Sequence, residues 1–122
     1  MSLRDIWASA KKQYKSEISM MKLSDSLDFG PKLDKYEEKK KEYEKTEEKY
    51  RLDPKPEKTA AAKKAVKDAA KVAQDAAMGY LKALNTIKGN TAHPQHAAAQ
   101  ALYDTINPRI LSELNNAVNG RF

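Results

Sequence analysis

The chain has 122 residues, and its 23 Lys and Arg against 17 Asp and Glu leave a formal net charge of +6. Eighteen residues are alanine, only 20 are Leu, Ile, Val or Phe, and cysteine is absent. The length allows one domain, and the composition excludes a disulfide framework, a thiolate metal site and an ordinary β-sandwich or barrel. We therefore expect an all-α domain with a thin core: an elongated antiparallel bundle of three long helices, followed by a C-terminal helix that is broken or kinked.

The first predicted helix covers residues 3–24. Ser2 is a suitable N-cap, and Asp5 lies in the first turn, where a carboxylate interacts favourably with the helix dipole. Apolar residues recur at helical spacing along one face, and Trp7 and Tyr14 are its largest side chains. We expect this face to belong to the core, and a partner-docking face is the alternative.

The second predicted helix, residues 32–52, is almost entirely charged. Its three tyrosines, Tyr36, Tyr43 and Tyr50, are seven residues apart and form a single stripe, but charged residues occupy the alternate positions of a coiled-coil repeat. A tyrosine ring can cover a shallow groove while its hydroxyl stays in water. The stripe indicates a solvated helix laid across a bundle or, alternatively, an aromatic docking surface for another molecule.

The third predicted helix, residues 57–88, has the strongest helical pattern in the chain. Pro56 precedes its start, and Gly89 can close its end. One face is apolar and rich in alanine, and its larger side chains lie in the second half of the helix, where we expect the core to centre. The opposite face is cationic and includes Lys63, Lys64, Lys67 and Lys71.

The last segment is predicted as two helices, residues 94–106 and 108–119, separated at Asn107-Pro108. Asparagine followed by proline is a typical N-cap and first helical residue, so a new helix is expected to begin there. A continuous but kinked helix is the alternative, because a proline inside a helix removes one hydrogen bond.

No pattern for catalysis or for cofactor binding is present. His93 and His96 are the only two histidines, and two ligands are too few for a tight zinc site, so we expect exposed loop side chains and no metal. Most carboxylates have a lysine neighbour at helical spacing, which is typical of a solvated surface. A phosphate-binding glycine loop is also absent from the sequence, and we expect no enzyme, no cofactor and no small-molecule substrate.

The shortage of large apolar residues favours a small non-enzymatic protein-interaction or scaffolding module, completed by a protein partner or by a second copy of the chain. The candidate contact residues are Trp7, Tyr14, Tyr36, Tyr43 and Tyr50. No signal peptide or membrane-spanning run is visible, so a cytoplasmic protein without a membrane partner is expected.

The alternative function is nucleic-acid binding without sequence specificity, through a lysine face that could follow the phosphates. Its residues are Lys63, Lys64, Lys67 and Lys71. Two observations weaken it: the same helix also carries Asp68 and Asp75, and the chain has only four arginines, the residue that most often reads bases.

Overall fold

The computed structural model describes residues 2–122, and this part of the chain is all-helical, without a strand, as predicted. A 3₁₀ turn, Asp25–Leu27, precedes the third helix, and a π-helical segment, Ile106–Leu111, joins the last two. The α-helices are α1 (Leu3–Gln13), α2 (Lys15–Met21), α3 (Gly30–Lys49), α4 (Pro56–Lys88), α5 (His96–Thr105) and α6 (Ser112–Val118). Within residues 2–122 none of these helices combines the length and the apolar character that crossing a bilayer requires.

The first helical region is divided in two, so the prediction of one uninterrupted helix over residues 3–24 is wrong. The Ser2 hydroxyl accepts a hydrogen bond from the Asp5 N–H at 3.1 Å, which confirms the N-cap. The backbone leaves the helical conformation at Tyr14 (φ −112°, ψ 29°), and α2 ends at Lys22 in the left-handed region (φ 53°). Trp7 of α1 and Met21 of α2 are both buried in the core.

The two longest helices, α3 and α4, are joined by the short connection of residues 50–55 and pack against each other. Because this connection is short, the chain reverses and α3 lies along α4. A proline lies in the first turn of each helix, where its missing N–H costs nothing, and α4 begins within one residue of its predicted start. α4 also contacts α5 and α6, so it is the element around which the core is built.

The expected separation at Asn107-Pro108 is not observed, because helical backbone continues from His96 to Val118. The π-helical segment lies where the break was predicted, and Asn107, Pro108 and Arg109 are exposed on it. A wider π turn accommodates a proline, which lacks the N–H that a regular α-turn would use. The Asn107-Pro108 dipeptide therefore marks a local irregularity within one helical run, and no separate helix begins there.

The core contains a three-ring aromatic cluster between α1, the start of α3 and α4. Trp7 stacks on Phe29 with a centroid distance of 4.5 Å, and Tyr80 contacts both rings edge-on at 5.1 and 5.6 Å. Burial, together with the negative charge of Asp28, raises the pKa of Tyr80 to about 12. In contrast, residues 44–65 include no buried side chain, so the C-terminal end of α3 and the N-terminal end of α4 extend beyond the core.

Candidate functional site

Two of the five aromatic residues that the sequence nominated for contact with a partner lie inside the protein. Trp7 is 1% exposed and Tyr36 is 0% exposed. The Tyr36 hydroxyl donates a hydrogen bond to Glu113 Oε2 at 3.0 Å, which ties α3 to α6. Burial and the nearby Glu113 carboxylate raise the pKa of Tyr36. In this conformation neither ring is accessible to another molecule.

The other three aromatic candidates, Tyr14, Tyr43 and Tyr50, are half-buried. Tyr43 is covered on one side by Phe122, whose ring meets it edge-on at 5.1 Å. The Lys49 ammonium lies 5.3 Å from the centroid of the Tyr50 ring, near the far end of α3. The seven-residue tyrosine spacing is therefore used partly for internal packing, and each remaining ring presents only part of itself to solvent.

An open groove of about 270 Å³ lies between α3 and α4. Its floor is apolar, because α4 places alanines there, and Val72, which also lines the groove, is 50% exposed. The two helices meet so that lysines of α3 form one rim. The lining residues are Lys32, Lys35 and Lys39 of α3 and Ala65, Asp68, Ala69 and Val72 of α4.

The charges around this groove are unevenly compensated. Asp68 is its only acidic lining residue and already forms an ion pair with Lys64 at 2.9 Å. Lys39 lies 3.4 Å from Glu42, whereas within residues 2–122 no carboxylate lies within 4.0 Å of the Lys32 or Lys35 ammonium. The α3 rim therefore keeps an excess of positive charge directly beside an apolar floor.

The four lysines proposed for nucleic acid are all exposed, but their surroundings differ. Lys64 pairs with Asp68, and Lys71 pairs with Asp75 at 3.1 Å. Lys63 and Lys67 lie beside the C-terminal segment, and a Cβ added to Gly120 would approach Lys63 Cε at 3.3 Å. Only half of this lysine face thus lacks an acidic partner among the described residues.

The histidine region shows a local backbone role. His93 Nδ1 accepts a hydrogen bond from the Gln95 N–H at 3.0 Å, which shapes the turn before α5. Within the described part of the chain, no group of three or more His, Asp or Glu side chains is arranged to hold a metal ion.

Comparison of the chain with protein-family models, with curated protein sequences and with solved structures found no match.

The sequence does not identify Lys32, Lys35 and Lys39 as residues of a binding site, because a lysine in a highly charged helix usually belongs to a solvated face. A signal was nevertheless present. On a helical projection these lysines fall on one side of the tyrosine stripe, while Glu37 and Glu44 fall on the other. The partner surface on α4 could not be recognised in the same way, since its alanines read as ordinary core residues.

Proposed function

We propose that this protein is a small non-enzymatic interaction module of elongated antiparallel helices, which binds a protein through the α3–α4 groove. The observation that carries the proposal is the uncovered apolar floor, with Val72 half-exposed between the two longest helices. An apolar groove with a charged rim is a surface on which another macromolecule can be bound.

The dimensions of the groove favour a helix as the bound element. A volume of about 270 Å³ is smaller than most sites for drug-sized ligands, which occupy roughly 300–1,000 Å³. It can accept one or two apolar side chains, as in recognition modes where an amphipathic helix lies in a groove. Small floor residues, Ala65 and Ala69, also let the backbone of a second helix approach closely.

A displayed library of amphipathic helical peptides tests this proposal, with Val72→Asp as the disruptive variant. We expect peptides that are enriched on the wild-type protein to lose binding to Val72→Asp, because a carboxylate would then occupy the apolar floor. Met78→Asp is the matched control: Met78 lies on the same helix, is 53% exposed and does not line the groove. Circular dichroism verifies that both variants are folded.

Two results would contradict the proposal. One is the absence of any enriched peptide together with an unchanged monomer mass in light scattering up to high concentration. The other is equal enrichment on wild type and on Val72→Asp, which would place binding elsewhere. A concentration-dependent dimer that Val72→Asp dissociates would instead support the groove as a contact between two copies.

Nucleic-acid binding is the second candidate function, and the observation in its favour is the pair Lys63 and Lys67. No carboxylate within residues 2–122 lies within 4.0 Å of either ammonium. The hypothesis predicts retention on heparin and on DNA that falls steeply with salt, by a log–log slope of about −0.9 per phosphate contact. Unchanged retention after Lys63, Lys64, Lys67 and Lys71 are replaced by Gln would exclude this face.

A further inference from the structure

We infer that the partner of the α3–α4 groove is a protein that presents an acidic amphipathic helix. This inference rests on the proposed function and specifies the chemistry of the partner. It follows from three features: the arrangement of the groove lysines, the position of Glu37 and Glu44 outside the groove, and the spacing of the residues on its apolar floor.

The rim lysines form an ordered row. Lys32, Lys35 and Lys39 are three and four residues apart, so they line one side of α3 over about two turns, or roughly 10 Å. Lys39 forms an ion pair with Glu42, and Asp68 on the other side of the groove forms an ion pair with Lys64. A bound segment with carboxylates along one flank would therefore meet ammonium groups whose charge is largely uncompensated in the protein itself.

Two acidic side chains of α3, Glu37 and Glu44, lie outside the groove, whereas Glu42 lies beside the rim lysine Lys39. Glu37 accepts a hydrogen bond from the Arg4 N–H at 3.0 Å. Glu37 and Glu44 line a separate hollow together with Glu113 of α6. These two carboxylates therefore do not neutralise the lysines of the groove, and the groove favours an anionic partner.

The floor selects for a helical partner. Ala65, Ala69 and Val72 are four and three residues apart, so they form a strip parallel to α4 with the repeat that a neighbouring helix can match. A partner with apolar side chains at positions i, i+3 or i+4, and i+7 would cover the exposed part of this strip, which is mainly Val72. A polyanion without an apolar face, such as nucleic acid, would leave the floor exposed to water.

A second copy of this chain does not offer such a helix. Its large apolar side chains that are exposed within residues 2–122 are Met20, Leu52, Val72 and Met78. Val72 and Met78 share α4 but lie about 120° apart around its axis, and the other two belong to different segments. No described helix combines an exposed apolar stripe with an acidic flank, so the occupant is another protein.

The experiment uses three displayed pools of helical peptides of about 18 residues, or five turns. All three pools share the same apolar positions, and they differ only in the flanking residues, which are acidic, neutral or basic. We expect the acidic pool to be enriched most strongly on the wild-type protein. Its enrichment is expected to decline when salt is raised from about 0.05 to 0.5 M, because surface charges are then screened.

Two triple variants test whether the groove lysines carry the selectivity. Replacing Lys32, Lys35 and Lys39 by Gln is expected to weaken binding of the selected acidic peptides by about tenfold. Replacing Lys63, Lys67 and Lys82 by Gln removes the same charge from the other side of α4, and we expect a change of less than about twofold. Equal effects of the two triple variants would overturn the inference, since net charge alone would then explain binding.

The outcomes separate this inference from the function on which it rests. Enrichment of neutral or basic peptides that Val72→Asp abolishes would overturn the acidic partner and leave the protein-binding function in place. Failure of all three pools would overturn both. Tighter binding of phosphatidylserine vesicles or of a single-stranded oligonucleotide, dependent on the same three lysines, would also overturn it and would assign the groove to a different class of anion.

Discussion

The carboxylate of Asp28 joins three parts of the structure at one point. It accepts hydrogen bonds from Trp7 Nε1 at 3.1 Å and from the Gly30 N–H at 2.9 Å, and it pairs with Lys11 Nζ at 2.6 Å. Burial by itself would raise the pKa of Asp28. The hydrogen bonds from Lys11, Gly30 and Trp7, together with the charge of Lys11, outweigh burial and lower the pKa below its usual value.

This lowered pKa gives folding a defined pH dependence. A carboxyl group whose pKa is lower in the folded state stabilises the protein above its unfolded pKa of about 3.9, and the contribution is lost as pH falls through the folded pKa. We expect Asp28→Asn to reduce the free energy of unfolding by about 1–2 kcal/mol at pH 7. The difference from wild type should shrink as pH falls below about 3.9 and disappear once pH is below the lowered pKa of Asp28, where both side chains are neutral.

Denaturant titrations at several pH values measure this difference. Asp25→Asn is the control, because Asp25 is exposed and forms no ion pair among residues 2–122. We expect that control to change the free energy of unfolding by less than about 0.5 kcal/mol. A difference for Asp28→Asn that persists unchanged at pH 2 would show that charge plays no part in its effect.

Two glycines respond in opposite ways to an added methyl group. A Cβ on Gly30 would overlap Arg4 Nη1 and lie 3.1 Å from Asp28 Oδ1, so the Arg4 guanidinium, whose Nε lies 3.0 Å from Asp34, would have to shift. Around Gly79 no atom lies within 4 Å of such a Cβ. Gly79→Ala should therefore stabilise α4 by up to about 1 kcal/mol.

The same substitution at Gly30 is expected to lower the free energy of unfolding by about 1 kcal/mol, because helix propensity is outweighed by the displaced arginine. Thermal or urea unfolding of the two variants side by side measures the contrast. If both gained the same stability, the close approach of Arg4 to Gly30 would be unimportant for folding.

Among the helical elements, the π-helical segment explains why the buried residues on either side of Pro108 do not follow one α-helical repeat. Plotted at 100° per residue, the buried residues before Pro108 and those after it point in directions about 80° apart. One additional residue in a helix rotates everything beyond it by about 100°. The π-helical segment takes up this extra residue and keeps both halves of the helical run facing the core.

Deletion of Pro108 tests this interpretation directly. Without that residue the apolar stripe becomes continuous at α-helical spacing, so we expect the variant to fold with at least the stability of the wild type. Deletion of Asp75, which is also exposed but lies within α4, should cause severe loss of stability, because it would rotate half of α4 out of the core. Circular dichroism with urea titration compares the two deletions, and equal damage would exclude the interpretation.

Helix boundaries can be predicted from this sequence only where local residues, such as prolines and glycines, mark them. α4 was predicted within one residue at its start, because a proline, a long apolar stripe and Gly89 all agree. No glycine or proline marks the division of the first helix at Tyr14. The same is true of Lys22, whose backbone is left-handed. α1 and α2 each bury a large side chain, Trp7 and Met21, in the same core, and this tertiary requirement has no local sequence pattern.

The candidate groove was not predictable for a related reason. Its lysines and alanines belong to different helices, and neither set is unusual within its own helix. What makes them a site is their meeting across the contact of α3 with α4, a property of tertiary structure. Conversely, Trp7 and Tyr36 were candidates for contact with a partner because aromatic size alone cannot distinguish a core side chain from a docking residue.

Across the whole molecule, stability is expected to be unevenly distributed. Residues 44–65 contain no buried side chain, whereas residues 66–84 of α4 contain eight. The free energy of local unfolding is lower where fewer side chains are buried. We therefore expect the C-terminal end of α3 and the N-terminal end of α4 to unfold locally while the rest of the protein stays folded. The ion pair of Lys64 with Asp68 adds only a few tenths of a kcal/mol there.

Hydrogen exchange followed by mass spectrometry checks this difference. We expect amides of residues 44–64 to exchange at least about 100-fold faster than those of residues 66–84. Addition of a selected groove-binding peptide should slow exchange in α3 and α4 more than in α6. Uniform protection along the whole of α4 would mean that the chain unfolds as one cooperative unit.

The hydrogen bond between Tyr36 and Glu113 also has a consequence for the synthesis of the protein. Its two residues are 77 positions apart. At translation rates of roughly 5–20 residues per second, about 4–15 s pass between the incorporation of the tyrosine and that of the glutamate. During that interval the nascent α3 and α4 can already pair, but the side of α3 that α6 will cover is exposed to water. The buried position of Tyr36 is therefore completed only after Glu113 of α6 has been synthesised.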